Sequence, residues 1–256
     1  MNAERPRTTT KCGPPIFTVA GRVIIVTGAG RGNGNAVAAG LARLGATVYG
    51  MDIEFADRAG GFKMITCDVA NESASERALS DVVSTDGRLD GLVNNAGISL
   101  PPDDCYSRDV FQRTIEINTL APFRLSWKAA ELMKRHGNGS IINITSLGAH
   151  LGFPNNPAYQ ASKAALRQVT RAMAVDYGRF GIRINNLCPG YVVTELTKDS
   201  YEDQHRRLAR SRRMILDRWG EPEDLIGPCA FLLSDAAKYI TGIDLPVDGG
   251  WLAKGL

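Results

Sequence analysis

The run Val23-Ile24-Ile25-Val26-Thr27, followed at once by Gly28-Ala29-Gly30-Arg31-Gly32-Asn33-Gly34, constrains this chain more than any other segment. A short β-branched run fits a strand buried on both faces, and the glycines after it permit a tight turn and a close approach of backbone to a neighbour. Val37, Leu41 and Leu44 then recur at i, i+4 and i+7, which predicts a helix over Asn35–Leu44, and Thr47–Asp52 reads as a second strand ending in an acid. Strand, glycine turn, helix and strand make one βαβ unit. The free N–H groups and positive end of such a helix favour a pyrophosphate, so Gly28, Arg31, Gly32, Asn33 and Gly34 are candidate dinucleotide contacts. Asp52, 24 residues after Gly28, is placed to accept hydrogen bonds from the adenosine ribose hydroxyls and to repel a 2′-phosphate. NAD is therefore expected rather than NADP, although Arg31 beside the turn could pair with a 2′-phosphate and pulls the other way.

The alternation continues. Lys63–Thr66, Gly91–Asn94, Ser140–Thr145, Arg183–Cys188 and a last run near Asp244–Val247 read as strands. Helical patterns near Ser73–Thr85, Val110–Arg135, Pro157–Phe180 and Glu221–Leu233 separate them. Right-handed crossovers then put helices on both faces of a parallel sheet. Pro122 is expected to kink the long third helix or to end its first segment, because it lacks an N–H. Glu195–Trp219 breaks the rhythm with a polar, helical pattern holding six arginines, Arg206, Arg207, Arg210, Arg212, Arg213 and Arg218.

Composition narrows the classes. Thirty basic residues against 27 acidic give a net charge of only +3, which offers no global case for nucleic acid or a membrane surface. Five dispersed cysteines without a C-x-x-C pair fit a reducing, cytoplasmic setting. Three scattered histidines form no ligand spacing, so no metal site is expected. No apolar run is long enough to span a bilayer. Met1–Phe17 is polar and reads as a loose tail, leaving residues 18–256 as one domain.

Tyr159 and Lys163 stand at i and i+4 on a predicted helix, hence on one face, where an ammonium would favour the phenolate and make the ring oxygen a usable acid/base. That pair alone is common on helix surfaces. Ser146 adds a hydroxyl at a strand end 13 residues before Tyr159. With the glycine turn, Asp68-Val69, Asn94-Asn95-Ala96-Gly97, Asn118 and Pro189-Gly190 in the same order, the chain resembles the short-chain dehydrogenase/reductase family from about Arg22 to Gly250. Among its members it resembles NAD-dependent sugar/polyol dehydrogenases and 3-oxoacyl-carrier-protein reductases.

The resemblance implies an α/β fold, a single Rossmann-like doubly wound parallel β-sheet with helices on both faces. It implies an oxidoreductase moving a hydride between NAD(H) and a small secondary alcohol or ketone. Tyr159 would be the general acid/base, Ser146 would orient the reacting oxygen, and Lys163 would lower the Tyr159 pKa and bind the nicotinamide ribose. Asn118 would kink its helix and hold a water that relays protons from Lys163. Asp68 and Val69 would flank the adenine, Asn95, Ala96 and Gly97 would line the cofactor's middle, and Pro189, Gly190, Val192 and Thr194 would seat the nicotinamide carboxamide. The helices at Val110–Arg135 and Pro157–Phe180, and the closing Val247–Trp251, would meet symmetry mates in a homotetramer.

Three departures from the family pattern stand out. Asn33 occupies a usually apolar position. Only 15 residues separate Asp52 from Asp68, which reduces the intervening helix to a stub around Glu54–Gly61. The N-terminal tail is longer than the family's minimal start. Ser99–Cys105, the stretch between Ser146 and Tyr159, and the segment after Thr194 should wall the substrate pocket. His150, Phe153, Asn155 and Asn156 give that wall a polar character that suits a sugar, polyol or sugar acid. The resemblance makes about 195–219 a lid of the catalytic domain, and its arginines admit a solvated-face reading or a role in recruiting an acidic carrier protein, in which case the chain would be an NADPH-dependent 3-oxoacyl reductase. A non-catalytic nucleotide binder is the third reading, and the complete Ser146/Tyr159/Lys163 set argues against it.

Overall fold

Seven strands lie side by side, all parallel, in the computed structural model, which describes residues 16–55, 60–100 and 106–254. They are β1 (Val23–Thr27), β2 (Thr47–Asp52), β3 (Lys63–Thr66), β4 (Gly91–Asn94), β5 (Gly139–Ile144), β6 (Ile182–Pro189) and β7 (Asp244–Val247), in the spatial order β3-β2-β1-β4-β5-β6-β7. The order reverses between β1 and β4, and at that switch point the strand ends open a crevice for a ligand. Five strands keep the limits read from sequence. β5 begins and ends one residue early, and β6 extends one residue at each end.

Helices cover both faces. On one side α1 (Gly32–Arg43) and α8 (Ile226–Leu233) bury Val37, Leu41, Leu232 and Leu233 against Ile24, Val26, Val93 and Ile142. On the other, α2 (Glu72–Asp86), α4 (Ala121–Met133) and α5 (Pro157–Gly178) bury Leu79, Leu125, Met133 and Met173 against Ile25, Leu92, Ile141 and Ile184. α1 starts at Gly32, three residues earlier than expected, so two of the turn's glycines belong to its first turn.

The helix expected over Val110–Arg135 is two helices. α3 (Arg108–Ile115) runs into a π-helical turn at Glu116–Leu120, and α4 follows with Pro122 in its first turn. The Ala121 N–H reaches back to the Glu116 carbonyl, one residue farther than in an α-helix. Pro122, which has no N–H, cannot make the ordinary bond to the Asn118 carbonyl. The break therefore lies just ahead of the proline.

One expectation is corrected. Ile16 and Phe17 belong to the body and not to a loose tail: the Ala236 N–H donates to the Ile16 carbonyl at 2.8 Å, and Phe17 stacks on Phe231 with centroids 6.4 Å apart. Among the described residues between β2 and β3 there is no helix. Phe55 and Phe62, with ring centroids 6.5 Å apart, pack against the α1 side of the core there, while residues 56–59 of the expected stub lie outside the described residues.

A row of polar side chains crosses the buried sheet. Asn94 on β4, Asn143 on β5, Asn186 on β6 and Asp244 on β7 are register partners. Asn94 Nδ2 donates to Asn143 Oδ1 at 2.8 Å, Asn143 Nδ2 to Thr170 Oγ1 at 2.8 Å, and Thr170 Oγ1 to Asn186 Oδ1 at 2.6 Å. Asn186 Nδ2 donates to Asp244 Oδ1 at 2.9 Å, and Arg167 and Arg171 on α5 close the row on Asp244 Oδ2.

Past β6 the lid contains two short helices, α6 (Lys198–Glu202) and α7 (Gln204–Ser211). Five of its six arginines have protein partners. Arg207, Arg210 and Arg213 lie over the rings of Tyr201, Tyr191 and Trp251 at 5.3, 4.4 and 4.8 Å, and Arg206 and Arg218 pair with Asp203 and Asp224. No helix of the described residues is long and apolar enough to cross a membrane.

Candidate active site

The glycine turn leaves β1 and is pinned from below. Thr27 Oγ1 accepts the N–H groups of Asn95 and Ala96 at 3.0 and 3.1 Å, and Asn95 Nδ2 donates to the carbonyls of Thr27 and Gly28. Gly28 has φ +67°, and a Cβ there would stand 2.8 Å from the Ala96 Cα. A Cβ on Gly34 would collide with the Gly28 carbonyl, and one on Gly30 with the Glu54 carbonyl. These three glycines are required by close approach, which leaves a shallow backbone cradle at the N-terminus of α1. The helix start carries no acid in its first turn, and Arg31 does not cap it with its exposed side chain. Its leading N–H groups thus suit an anionic diphosphate.

Asp52 sits where β2 ends. Its Oδ2 accepts the Gly30 N–H at 2.8 Å and its Oδ1 the Ile53 N–H at 2.7 Å, so the carboxylate is aimed at the turn with lone pairs remaining for ribose hydroxyls. Farther along, Asp68 Oδ1 accepts the Ala70 N–H at 2.9 Å and Val69 is buried. At the other end Gly32 lies beside Thr194, 3.5 Å from a Cβ position on the glycine to the threonine methyl. The loop carrying Thr194 is tied down by the bond from Gly190 N–H to the Val247 carbonyl, by the Val192–Gly220 bridge, and by Thr194 capping the turn at Glu195–Thr197. Asn33, the departure from the family pattern, is half-buried, and its Oδ1 is shielded from solvent without a hydrogen-bond partner. A cradle closed to side chains and a carboxylate at the β2 end fit a dinucleotide.

Ser146 emerges from the end of β5, where its Oγ accepts the Gly148 N–H at 3.1 Å. Tyr159 and Lys163 lie on α5, and Lys163 Nζ is 5.8 Å from the Tyr159 ring centroid and donates to the Ile144 carbonyl at 2.8 Å. Burial pushes the Tyr159 phenol up, and the hydrogen bond with Ser146 pulls it back. Burial also lowers Lys163 to about 8. Lys163 Nζ thus stands beside the Tyr159 ring, engaged by a backbone carbonyl, and the hydrogen bond with Ser146 opposes the effect of burial on the phenol.

Asn118, fully buried in the π turn, uses its side chain structurally. Its Oδ1 accepts the Ile98 N–H at 2.8 Å, and its Nδ2 donates to the Ile98 carbonyl and to Ser162 Oγ. Ser162 Oγ donates in turn to the Tyr159 carbonyl at 2.6 Å. Sequence reasoning passed over Ser162 and Thr27, although Ser162 stands inside the Tyr159–Lys163 spacing and Thr27 inside the first strand. Gly97 separates Asn118 from Lys163, with Asn118 Oδ1 and Lys163 Nζ 3.1 and 3.4 Å from its Cβ position. Of the expected polar wall, Asn156 Nδ2 donates to Ser99 Oγ at 2.8 Å, whereas His150 falls within the field of Arg167, Asp244, Arg171 and Asp248 on the β7 side. Residues 101–105 of the wall lie outside the described residues.

Known proteins share this arrangement. Residues 28–252 match the family model described as Enoyl-(Acyl carrier protein) reductase. The chain is 36% identical over 250 residues to the 2-dehydro-3-deoxy-D-gluconate 5-dehydrogenase of Pseudoalteromonas atlantica, covering 93% of this chain and 98% of that one. It is 36% identical over 248 residues to the gluconate 5-dehydrogenase of Gluconobacter oxydans, covering 93% and 97%. The crystal structure of a gluconate 5-dehydrogenase from Burkholderia cenocepacia J2315, in complex with NADP and tartrate, superposes with a TM-score of 0.87 at 33% identity, over 94% of this chain and 98% of that one. The chain belongs to the short-chain dehydrogenase/reductase family. It is an NAD(P)-dependent oxidoreductase acting on CH–OH groups.

Proposed function

We propose that this enzyme interconverts a secondary hydroxyl and a ketone on a sugar acid or a closely related polyol, with NAD as its preferred cofactor. The observation that carries the reading is the Tyr159 phenol, set beside Ser146 and backed by Lys163, within a fold whose β1 turn is a diphosphate cradle. The relatives named for gluconate and 2-dehydro-3-deoxy-D-gluconate supply the substrate class.

The dinucleotide would supply the hydride donor or acceptor when bound, and the protein supplies position and proton transfer. In reduction, the Tyr159 hydroxyl gives its proton to the carbonyl oxygen while Ser146 donates a hydrogen bond to that oxygen. In oxidation, the same phenolic oxygen, deprotonated, takes the alcohol proton. Lys163 binds the nicotinamide ribose. The Asn118 carbonyl, released from its helical bond by Pro122, holds a water that returns the proton to solvent. Gly28, Arg31, Gly32, Asn33 and Gly34 receive the diphosphate side, Asp68 and Val69 the adenine, Asn95–Gly97 the middle, and Pro189, Gly190, Val192 and Thr194 the carboxamide.

Asp52 supports NAD because a 2′-phosphate would bring negative charge against a carboxylate already fixed by the Gly30 N–H. The carrier-protein reading loses its support, since five of the six lid arginines stack on rings or pair with acids of the chain itself. A homotetramer is favoured by the apolar side chains that α4 and α5 leave exposed, Phe123, Trp127 and Val175. Light scattering at micromolar protein checks this, and a mass near 27.6 kDa would exclude it. The described cysteines are unbridged, in keeping with the cytoplasm.

The deciding experiment follows reduced-nicotinamide absorbance with D-gluconate, 2-dehydro-3-deoxy-D-gluconate, an aldohexose and cyclopentanol, each with NAD and with NADP. Turnover of the two acids with NAD is expected. Exclusive turnover of cyclopentanol, or a higher kcat/KM with NADP, would overturn the corresponding part of the proposal.

A further inference from the structure

The residue next to Tyr159 turns its side chain backward along the chain. Gln160 Oε1 accepts the Phe153 N–H at 2.7 Å, while its Nε2 donates to the Phe153 carbonyl at 2.7 Å and to the Asn156 carbonyl at 2.9 Å. The side-chain amide thus pairs with the Phe153 backbone as a neighbouring strand would, and the direction of the three bonds fixes its orientation, since a flipped amide would set acceptor against acceptor. The seat for this side chain is Gly148, where a Cβ would stand 3.2 Å from Gln160 Cγ and 3.7 Å from Tyr159 Cδ1.

What Gln160 holds is the stretch joining the two halves of the catalytic pair, Ser146 and Tyr159. Its first half is held by the turn at Leu147–Ala149 and the packing of Leu147 and Leu151, whereas in the second half Asn155 adopts φ +59°, Asn156 reaches Ser99 across the mouth, and Phe153 turns its ring edge-on to Tyr191, 6.5 Å away. Tyr191 directly follows Pro189-Gly190, and its ring carries Arg210 of the lid. The Gln160 amide therefore sets the distance between the catalytic helix and the aromatic wall that carries the lid. We propose that Gln160 is a positioning residue of the reaction, which fixes the Phe153–Asn156 wall against Tyr159 and through it determines selectivity for hydroxylated substrates over apolar ones. The proposal rests on the oxidoreductase reading above.

The test uses the full-length enzyme with Gln160→Leu and Gln160→Glu. KM and kcat are measured for D-gluconate and cyclopentanol, the NADH Kd is titrated by fluorescence, and amide exchange is followed by mass spectrometry over residues 147–158. Gln160→Leu should raise the D-gluconate KM by roughly tenfold, with kcat and NADH Kd changed by less than about threefold, and should speed exchange at Phe153. Gln160→Glu carries the sharper signature. A protonated carboxylic acid can restore the reciprocal pair with Phe153, whereas a carboxylate faces two carbonyl oxygens with no donor. Its KM and its exchange should approach wild type at acid pH and depart from it as pH rises, an ionisation absent from the wild type. A pH-independent Gln160→Glu profile, or kcat, KM and NADH Kd moving together in Gln160→Leu, would overturn the proposal. If the wild type turned over neither compound, the functional reading would fail, and the exchange profile of Gln160→Glu would still decide whether the clasp is real.

Discussion

Replacing Asn33 by leucine tests the cofactor cradle by separating two quantities that usually fall together. In the free protein the Asn33 Oδ1 is buried without a donor, a condition that costs about 1–3 kcal/mol. Leucine has similar volume, no polar atom and better helix propensity at this first-turn position, so Asn33→Leu should stabilise the ligand-free protein by about 1–2 kcal/mol. For a chain of this length that corresponds to a Tm rise of about 2–6 °C. The diphosphate side that Asn33 faces carries acceptors only, so the bond lost on binding is one from the Asn33 Nδ2, and a loss of about 1 kcal/mol weakens the Kd about fivefold. Scanning fluorimetry with and without NADH reads both effects, because ligand stabilisation follows RT ln(1 + [L]/Kd). The expected signature is a higher melting point alone and a smaller shift with NADH. A lower Tm with unchanged NADH affinity would show that Asn33 is an ordinary packing residue and refute the reasoning.

Tyr159→Phe should leave NADH binding intact and cut kcat/KM by ~10²-fold or more, since only the proton-exchanging oxygen is lost. Retention of a tenth of wild-type activity would remove Tyr159 from the mechanism. Lys163 gives a pH prediction: its native pKa of about 8 lies below the ordinary 10.5. Between those values the unfolded chain binds the proton that the native state has shed, so this residue's contribution to stability rises with pH across that window. The urea midpoint of Lys163→Met should lack that rise, and parallel pH curves for variant and wild type would refute it. Asp244→Ala should destabilise by about 2–4 kcal/mol, because it leaves Arg167, Arg171 and Asn186 without their shared acceptor. A change in denaturation midpoint below the precision of the measurement would mean that the row closes without the carboxylate.

Strands were the most legible elements, because a strand buried on both faces reads as an unbroken apolar run and Gly or Asp punctuates its ends. The glycine turn was legible for the same local reason, but not the start of α1, since glycine signals a turn even where it begins a helix. The π turn at Glu116–Leu120 was illegible as such: one extra residue shifts the apolar period by less than pattern reading resolves, and only Pro122, with the kink that the family resemblance implied at Asn118, marked the place. The roles expected of Ser146, Tyr159 and Lys163 came from the family resemblance and not from spacing, and the engagement of Lys163 by the Ile144 carbonyl is a tertiary fact that neither shows. The lid arginines were ambiguous for a similar reason. Tyr191 and Trp251, the rings that receive Arg210 and Arg213, lie elsewhere in the chain.

The polar row across β4 to β7 bears on how the sheet assembles. Strands that are apolar on both faces are nearly indifferent to sliding past one another, since a slip of two residues returns the same face to the same side. Asn94, Asn143, Asn186 and Asp244 remove that indifference, because each finds its partners in only one alignment. A slipped strand would bury amides with nothing to bond, at about 1–3 kcal/mol for each. The row therefore acts as a gauge that admits one alignment during folding. It stands one to four residues before Asn95, Ser146 and Gly190, so a chain that passes the gauge has also set the heights at which its reactive groups emerge from the sheet.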